Sequence, residues 1–251
     1  MRGMELSAYL EQLKSTALDL GEGPVVAYFD LDRTLIEGYS LTALAWQQLF
    51  NGIAPRRLVT LSYMFMKYAL GRIGYDELLR GTVDDIRGMS EADLKSLIQQ
   101  TYENRLVHAI YQEGYDVIKA HRRLGHHVVM VTSATSYQAE PIAEALRIPV
   151  ENVCSTNLEV VDGCIAGGVE PCFGQGKVTA ALAFANSVGG DLSRAYFYSD
   201  SKDDLPLLEN VGRPVVVNGK SRLSKIGESR GWVSLEFNRT GTFGSQSQQA
   251  A

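Results

Sequence analysis

Two carboxylates stand one residue apart after a short apolar run: Val25-Val26-Ala27-Tyr28-Phe29 leads into Asp30-Leu31-Asp32-Arg33-Thr34. Continued strand geometry would put positions i and i+2 on one side. Neighbouring carboxylates repel, so one keeps its proton unless a cation neutralises the pair. A second apolar run, Ala195-Tyr196-Phe197-Tyr198, ends in Ser199-Asp200-Ser201-Lys202-Asp203-Asp204, and a third, His127 to Val131, ends in the hydroxyls Thr132-Ser133. Hard oxygens around one point suit Mg²⁺, which takes one or two protein carboxylates and keeps waters for a phosphate group. Any one of these aspartates alone reads as a helix cap or a loop residue. Three acids at two strand ends of one sheet argue for a site.

The elements that must position these residues follow from periodicity. Residues 4–20 carry leucines at helical spacing, and 25–29 read as a buried strand. A helical region then runs from about 41 to 124, broken at Gly52/Pro55, Gly71–Gly74 and Gly88, which is too long for a simple crossover and reads as an insertion. Strand 127–131, helix 136–147, a hairpin over 154–166 around Asp162-Gly163, helix 176–187, strand 195–198, a short helix near 203–210 and strands at 215–217 and 232–235 follow. Strands alternating with helices predict an α/β fold with a doubly wound, Rossmann-like parallel sheet, whose ligands lie at the carboxyl ends of the strands. The expected organisation is a core of residues 1–38 and 122–240, a helical cap of 39–121 inserted after the first strand, and a disordered Gly/Ser/Gln-rich tail of 241–251.

The order of these motifs resembles the haloacid dehalogenase-like (HAD) superfamily. Its DxDx[TV] motif corresponds to Asp30–Thr34, its strand-closing hydroxyl to Thr132, its lysine at a helix start to Lys177 in Gly174-Gln175-Gly176-Lys177, and its acidic cluster to Asp200–Asp204. The insertion point resembles the phosphoserine-phosphatase-like branch (subfamily IB). The resemblance implies a phosphomonoester hydrolase acting through an aspartyl-phosphate. In that reading Asp30 is the nucleophile and Asp32 the general acid and base. Mg²⁺ is held by Asp30, the Asp32 backbone carbonyl and Asp200. Thr34, Thr132, Ser133 and Lys177 bind the phosphate, while Asp203 and Asp204 support the lysine or a metal-bound water. A phosphotransferase would use the same motifs. A non-catalytic binding module would be expected to have lost the nucleophile or a metal acid, and Asp30, Asp32, Lys177 and Asp200 all remain.

Substrate choice is expected from the cap. Glu37, Arg56 and Arg80 are candidate contacts. However, Glu37 lies closer to the first motif than the branch's glutamate, and Leu79-Arg80-Gly81-Thr82-Val83 lacks the second arginine of the branch's Leu-Arg-x-Arg-Val stretch. A small phosphorylated metabolite is therefore favoured over phosphoserine itself. Residues 58–70 are apolar nearly all round a helix, which reads first as a buried cap helix and second as a surface for a lipid phosphate or a peripheral membrane contact.

The 251 residues carry 24 Lys and Arg against 29 Asp and Glu, a net charge of −5 that disfavours nucleic-acid partners. No stretch approaches the ~20 apolar residues of a membrane span, and the N-terminus lacks a signal peptide's apolar core. Three cysteines outside any CxxC spacing (Cys154, Cys164, Cys172) point to reduced thiols and a cytoplasmic protein. The histidines lie away from the motifs and read as structural or exposed. The sequence leaves the oligomeric state open.

Overall fold

The computed structural model describes residues 3–19, 23–52, 59, 63–64, 66–68, 70–219 and 222–243. The sheet is built on β1 (Val26–Phe29), all four of whose residues are buried. Such unbroken apolar runs belong to parallel strands covered on both faces. Parallel partners flank it: β3 (His127–Thr135) on one side and β6 (Tyr196–Ser199) on the other. The full order is β5-β4-β3-β1-β6-β7-β8, with β4 Val153–Val161, β5 Cys164–Glu170, β7 Arg213–Val217 and β8 Val233–Leu235. The order reverses at β1, which opens a crevice at the carboxyl ends of β1, β3 and β6. The family of fold expected from the sequence is therefore the one observed.

Every pairing within the seven-stranded sheet is parallel except β4–β5. That hairpin turns at Asp162 and Gly163, with φ of 51° and 74°. Two successive positive φ values are what a two-residue type I′ turn requires, and Asp-Gly meets them at low cost. Strand β3 runs beyond the expected end at 131, pairing Thr135 with Thr156 across a register shift.

Helices cover both faces. On one, α1 (Leu6–Asp19), α5 (Gln112–Arg123) and α6 (Ser136–Ala145) pack on a cluster containing Phe29, Val117, Ile118, Met130 and Ile142. On the other, α7 (Gln175–Ser187), α8 (Leu205–Leu208) and α9 (Arg222–Ser229) cover Tyr28, Val129, Phe197 and Val216. His121 of α5 and His126 are buried in the first face, joined Nδ1 to Nδ1 at 2.8 Å, and His121 Nε2 lies 2.6 Å from the Tyr198 hydroxyl. These histidines are structural.

The inserted helices are α2 (Ser40–Phe50), helical residues among 59–68, α3 (Tyr75–Ile86) and α4 (Glu91–Asn104). The expected breaks are real turns, with φ of 79° at Gly52, 67° at Gly71 and 80° at Gly88. A separate apolar cluster of Leu44, Val83, Leu94, Leu97 and Ile98 holds them together, and Ile165 of β5 completes it. Backbone bonds from Gly88 N–H to Ile165 O, 2.9 Å, and from Ile165 N–H to Met89 O, 3.0 Å, seat the cap on the hairpin.

Three expectations are corrected here. Ile110, Val117 and Ile118, expected in the cap, join the sheet's cluster, against which the cap residues Ala43 and Tyr102 also pack, because helical periodicity does not say which layer a helix covers. The segment 241–251 is not wholly disordered, since β9 (Thr240–Gly241) pairs with β2 (Ile110–Tyr111) and Phe243 packs against the core. Residues 244–251 lie outside the described residues. The described residues of the segment 58–70, expected as a buried helix, are not buried all round either. Val59, Tyr63, Met66 and Leu70 are 67, 53, 51 and 59% exposed. Among the described residues no helix is long and apolar enough to cross a membrane.

Candidate active site

The chain leaves β1 through a tight turn. Leu35 N–H returns to Leu31 O at 2.9 Å, and Arg33 takes the left-handed φ of 61°. That region is uncommon for a side chain larger than Asn and carries strain. The turn leaves Asp30 at the strand end, 5% exposed, with its N–H bonded to Tyr198 O of β6 at 3.0 Å.

Lys177 meets it from the third residue of α7. The ammonium lies 2.8 Å from Asp30 Oδ1 and 2.7 Å from Asp204 Oδ1, with the lysine only 2% exposed. Burial opposes this charge, but Asp204 and Asp30 more than offset it, and the lysine's pKa lies above its ordinary value. A solvated first-turn lysine is thus ruled out. Asp204 is itself fixed by the Ser199 hydroxyl, which donates to Oδ2 at 2.6 Å.

Asp200 completes the floor from the end of β6. Burial pushes its carboxyl up to about 7, Arg33 draws it down and Asp204 adds to the rise. Arg33 Nη1 sits 2.9 Å from Asp200 Oδ2, yet that shielded oxygen accepts no hydrogen bond. Burial also raises Asp30 well above the usual range against the pull of Lys177, with Asp204 and Asp200 raising it further. A cluster with more buried carboxylates than cations has room for a divalent ion. Among the described residues no group of three or more His, Cys, Asp or Glu side chains is arranged to hold a metal. A pair, Asp30 and Asp200, is what Mg²⁺ ordinarily takes from a protein. The unbonded Asp200 oxygen and the surplus negative charge fit such an ion.

Asp32 faces the same cavity, but it does not continue the strand. Its Oδ1 accepts the Ser40 N–H at 2.7 Å, at the first turn of α2. Burial raises its pKa, and the Ser40 bond works against the rise. A carboxyl with a raised pKa suits proton donation near neutral pH.

The remaining candidates divide. Ser133 lines the cavity, whereas Thr132 is 1% exposed, is not in the wall, and accepts the Ala134 N–H with its hydroxyl at 3.1 Å. Successive strand residues face opposite sides, and of the two it is Ser133, one position later, that lines the cavity. Thr34 is fully buried and outside the cavity wall, and its Oγ1 accepts the Asp200 N–H at 3.1 Å. Glu37 and Arg80 are exposed and outside the cavity wall. Arg56 lies outside the described residues. Asp203 lines the cavity and accepts the Tyr68 hydroxyl at 2.6 Å, tying cap to core.

Sequence reasoning missed Arg33, Tyr39, Tyr68 and Tyr75. Tyr75 donates to Ser133 O at 3.0 Å and stacks on Phe173 at 3.8 Å between ring centres. Arg33 bonds the Tyr39 hydroxyl at 3.1 Å. Its place inside the aspartate motif was the available signal. No spacing rule links the cap tyrosines to residues 58 to 135 positions away.

A buried carboxylate pair, a lysine aimed at one of them and a serine at the next strand end describe a centre for transferring an anionic group. The haloacid dehalogenase-like hydrolase family matches residues 27–209, and the chain belongs to that family. It is 34% identical over 219 residues to an inhibition of morphological differentiation protein of Streptomyces azureus, covering 85% of this chain and 78% of that one. It is 33% identical over 218 residues to a probable phosphatase of Mycobacterium tuberculosis, covering 85% and 75%. Among solved structures, a Bordetella pertussis protein of unknown function superposes with a TM-score of 0.77 at 26% identity, covering 85% of this chain and 99% of that one. A substrate-bound phosphoserine phosphatase shares the fold, with a TM-score of 0.65 at 16% identity over 86% and 94% of the two chains.

Proposed function

We propose that the protein is a Mg²⁺-dependent phosphomonoester hydrolase that acts on a small phosphorylated metabolite through an aspartyl-phosphate at Asp30. The observation that carries this is the buried Asp30–Lys177–Asp204 ion-paired set at the ends of β1 and β6. A lysine held this way is neither solvent-facing nor capping. It fixes one positive charge between an oxygen of Asp30 and an oxygen of Asp204, beside the place where charge builds during phosphoryl transfer.

Asp30 Oδ attacks phosphorus, an Asp30–phosphorus ester forms, and the bond to the leaving alkoxide breaks. Asp32, whose pKa burial raises, donates its proton to that alkoxide. It then takes a proton from the water that attacks the acyl phosphate, which frees inorganic phosphate and regenerates Asp30. Lys177 and the Ser133 hydroxyl bind non-bridging oxygens throughout. Mg²⁺, held by Asp30, Asp200 and the Asp32 carbonyl, would neutralise the repulsion between nucleophile and phosphate. Asp204 and Ser199 keep the lysine in place. The relative described as a probable phosphatase supports this reading.

The test is phosphate release from p-nitrophenyl phosphate. EDTA and Asp30→Asn should each abolish it, with Mg²⁺ restoring the chelated enzyme. Metal-independent turnover, or full activity in that variant, contradicts the proposal.

A further inference from the structure

Arg33 sits in the left-handed backbone region that glycine occupies more cheaply, with φ of 61°. Such strain persists where the surroundings or the function demand it. The backbone is pinned by its own N–H, which donates to Gly38 O at 2.9 Å. The side chain is 22% exposed and lines the catalytic cavity beside Asp32, Tyr39 and Asp200. The Tyr39 ring centre lies 5.7 Å from the guanidinium carbon, and the Tyr39 hydroxyl accepts from Nη1 at 3.1 Å.

The two cations of the site are used differently. The Lys177 ammonium is committed to Asp30 and Asp204 at 2.8 and 2.7 Å. The Arg33 contact with Asp200 is charge without a hydrogen bond. Nη1 comes within 2.9 Å of Oδ2, yet that oxygen and Arg33 Nη2, both shielded, have no hydrogen-bond partner among the described residues. An arginine dedicated to a carboxylate presents its fork and bonds both oxygens. A shielded charged donor left empty is costly. The pair is therefore weakly made on both sides, and each partner keeps bonding capacity for something else.

Asp200 is one of the two carboxylates suited to Mg²⁺. With its charge committed there, Arg33 keeps an empty donor and an unbalanced positive charge at the wall of a cavity that receives a phosphate group. We infer that Arg33 is an anion-binding residue that pairs with Asp200 in the metal-free protein, yields it when Mg²⁺ binds, and then donates Nη2 to an oxygen of the phosphoryl group. One side chain thereby links metal binding to phosphate binding. This rests on the phosphatase reading above, and the test separates the two.

The experiment is calorimetry on the whole protein. Mg²⁺ is titrated into phosphate-free protein, and inorganic phosphate into Mg²⁺-saturated protein. Arg33→Met keeps much of the side chain's length and removes its charge. It should bind Mg²⁺ several-fold more tightly, because the competing cation is gone, and phosphate about tenfold more weakly. Arg33→Gly relaxes the turn and should move both constants in the same directions, which separates the effect from a folding defect. Arg33→Lys keeps the charge without the fork and should lose less phosphate affinity than Arg33→Met. An arginine that only held Asp200 in place would give weaker Mg²⁺ binding when removed. Unchanged or weaker Mg²⁺ binding in the two neutral variants, or unchanged phosphate binding, overturns the inference. Wild-type hydrolysis of p-nitrophenyl phosphate then leaves the phosphatase reading standing. Without that hydrolysis the phosphatase reading fails, and the inference falls with it.

Discussion

The floor and the roof of the cavity are built from opposite materials. The floor is four buried charges, Asp30, Lys177, Asp200 and Asp204, held at the ends of two parallel strands and the first turn of a helix. The roof is a helical layer whose contacts are leucine, valine and isoleucine. Charges need fixed directions, and strand ends in one sheet supply them. An apolar roof needs only shape, which helices joined by glycine turns provide. The contrast predicts that chemistry lives in the floor, while affinity and leaving-group choice live in the roof.

Substitutions in the floor should have the largest effects. Asp30→Asn should lower phosphate release on the order of 10⁴-fold or more in a steady-state assay, while circular dichroism stays native. Lys177→Met should reduce kcat by about 10²–10³. Because it leaves Asp30 and Asp204 buried without a partner, it should also cost about 3–5 kcal/mol in urea unfolding. If either variant keeps wild-type kcat, the floor is not the chemical centre.

Asp200 sharpens the comparison through pH. Its folded pKa of about 7 lies above the ordinary carboxyl value, so the folded protein holds the proton more tightly than the unfolded chain. Stability from this group is therefore present at low pH and lost as pH rises from about 4 towards 7. Without divalent ions, Asp200→Asn should melt above wild type at pH 8, and the gap should narrow at pH 5. Added Mg²⁺ should raise the wild-type melting temperature at pH 8 and not that of the variant. Equal gaps at both pH values would remove the buried-charge account of this residue.

The roof should respond in stability rather than chemistry. Leu97 is 7% exposed, belongs to the cap cluster and stands outside the cavity wall. Leu97→Ala should cost about 2–4 kcal/mol by denaturant unfolding, with kcat on p-nitrophenyl phosphate unchanged. Arg80→Ala and Glu37→Ala should do least, with kcat/KM altered by less than about twofold, because solvated side chains outside the wall contribute little.

The floor is largely legible in the sequence, and the roof is not. Apolar runs that end in acids mark strand ends whatever the tertiary context, so Asp30, Asp32 and Asp200 stand out from residue type and spacing, whereas Lys177 stands out only through the resemblance to the family's motifs. The Asp162-Gly163 turn is legible for the same local reason. Thr132 and Ser133 cannot be separated that way, because both follow the same apolar run and only the folded strand puts Ser133 rather than Thr132 in the cavity wall. Thr34 reads as a phosphate ligand until its hydroxyl is seen beneath the Asp200 amide. In the roof, apolar periodicity identifies helices but not the layer they cover, so α5 reads as part of the cap although Val117 and Ile118 pack on the sheet. The tyrosines joining roof to floor act across long sequence separations, such as the 135 residues between Tyr68 and Asp203, and leave no local pattern.

The central claim is that Asp30 carries the phosphoryl group. Asp32→Asn should slow hydrolysis of the intermediate, so that acid quenching during turnover of p-nitrophenyl phosphate captures it. Mass spectrometry of the digested protein should then find a base-labile phosphoryl group on the peptide containing Asp30, and reduction with borohydride should mark that residue. Phosphoryl on any other side chain, or steady turnover with Asp30 unmodified at every quench time, would contradict the account.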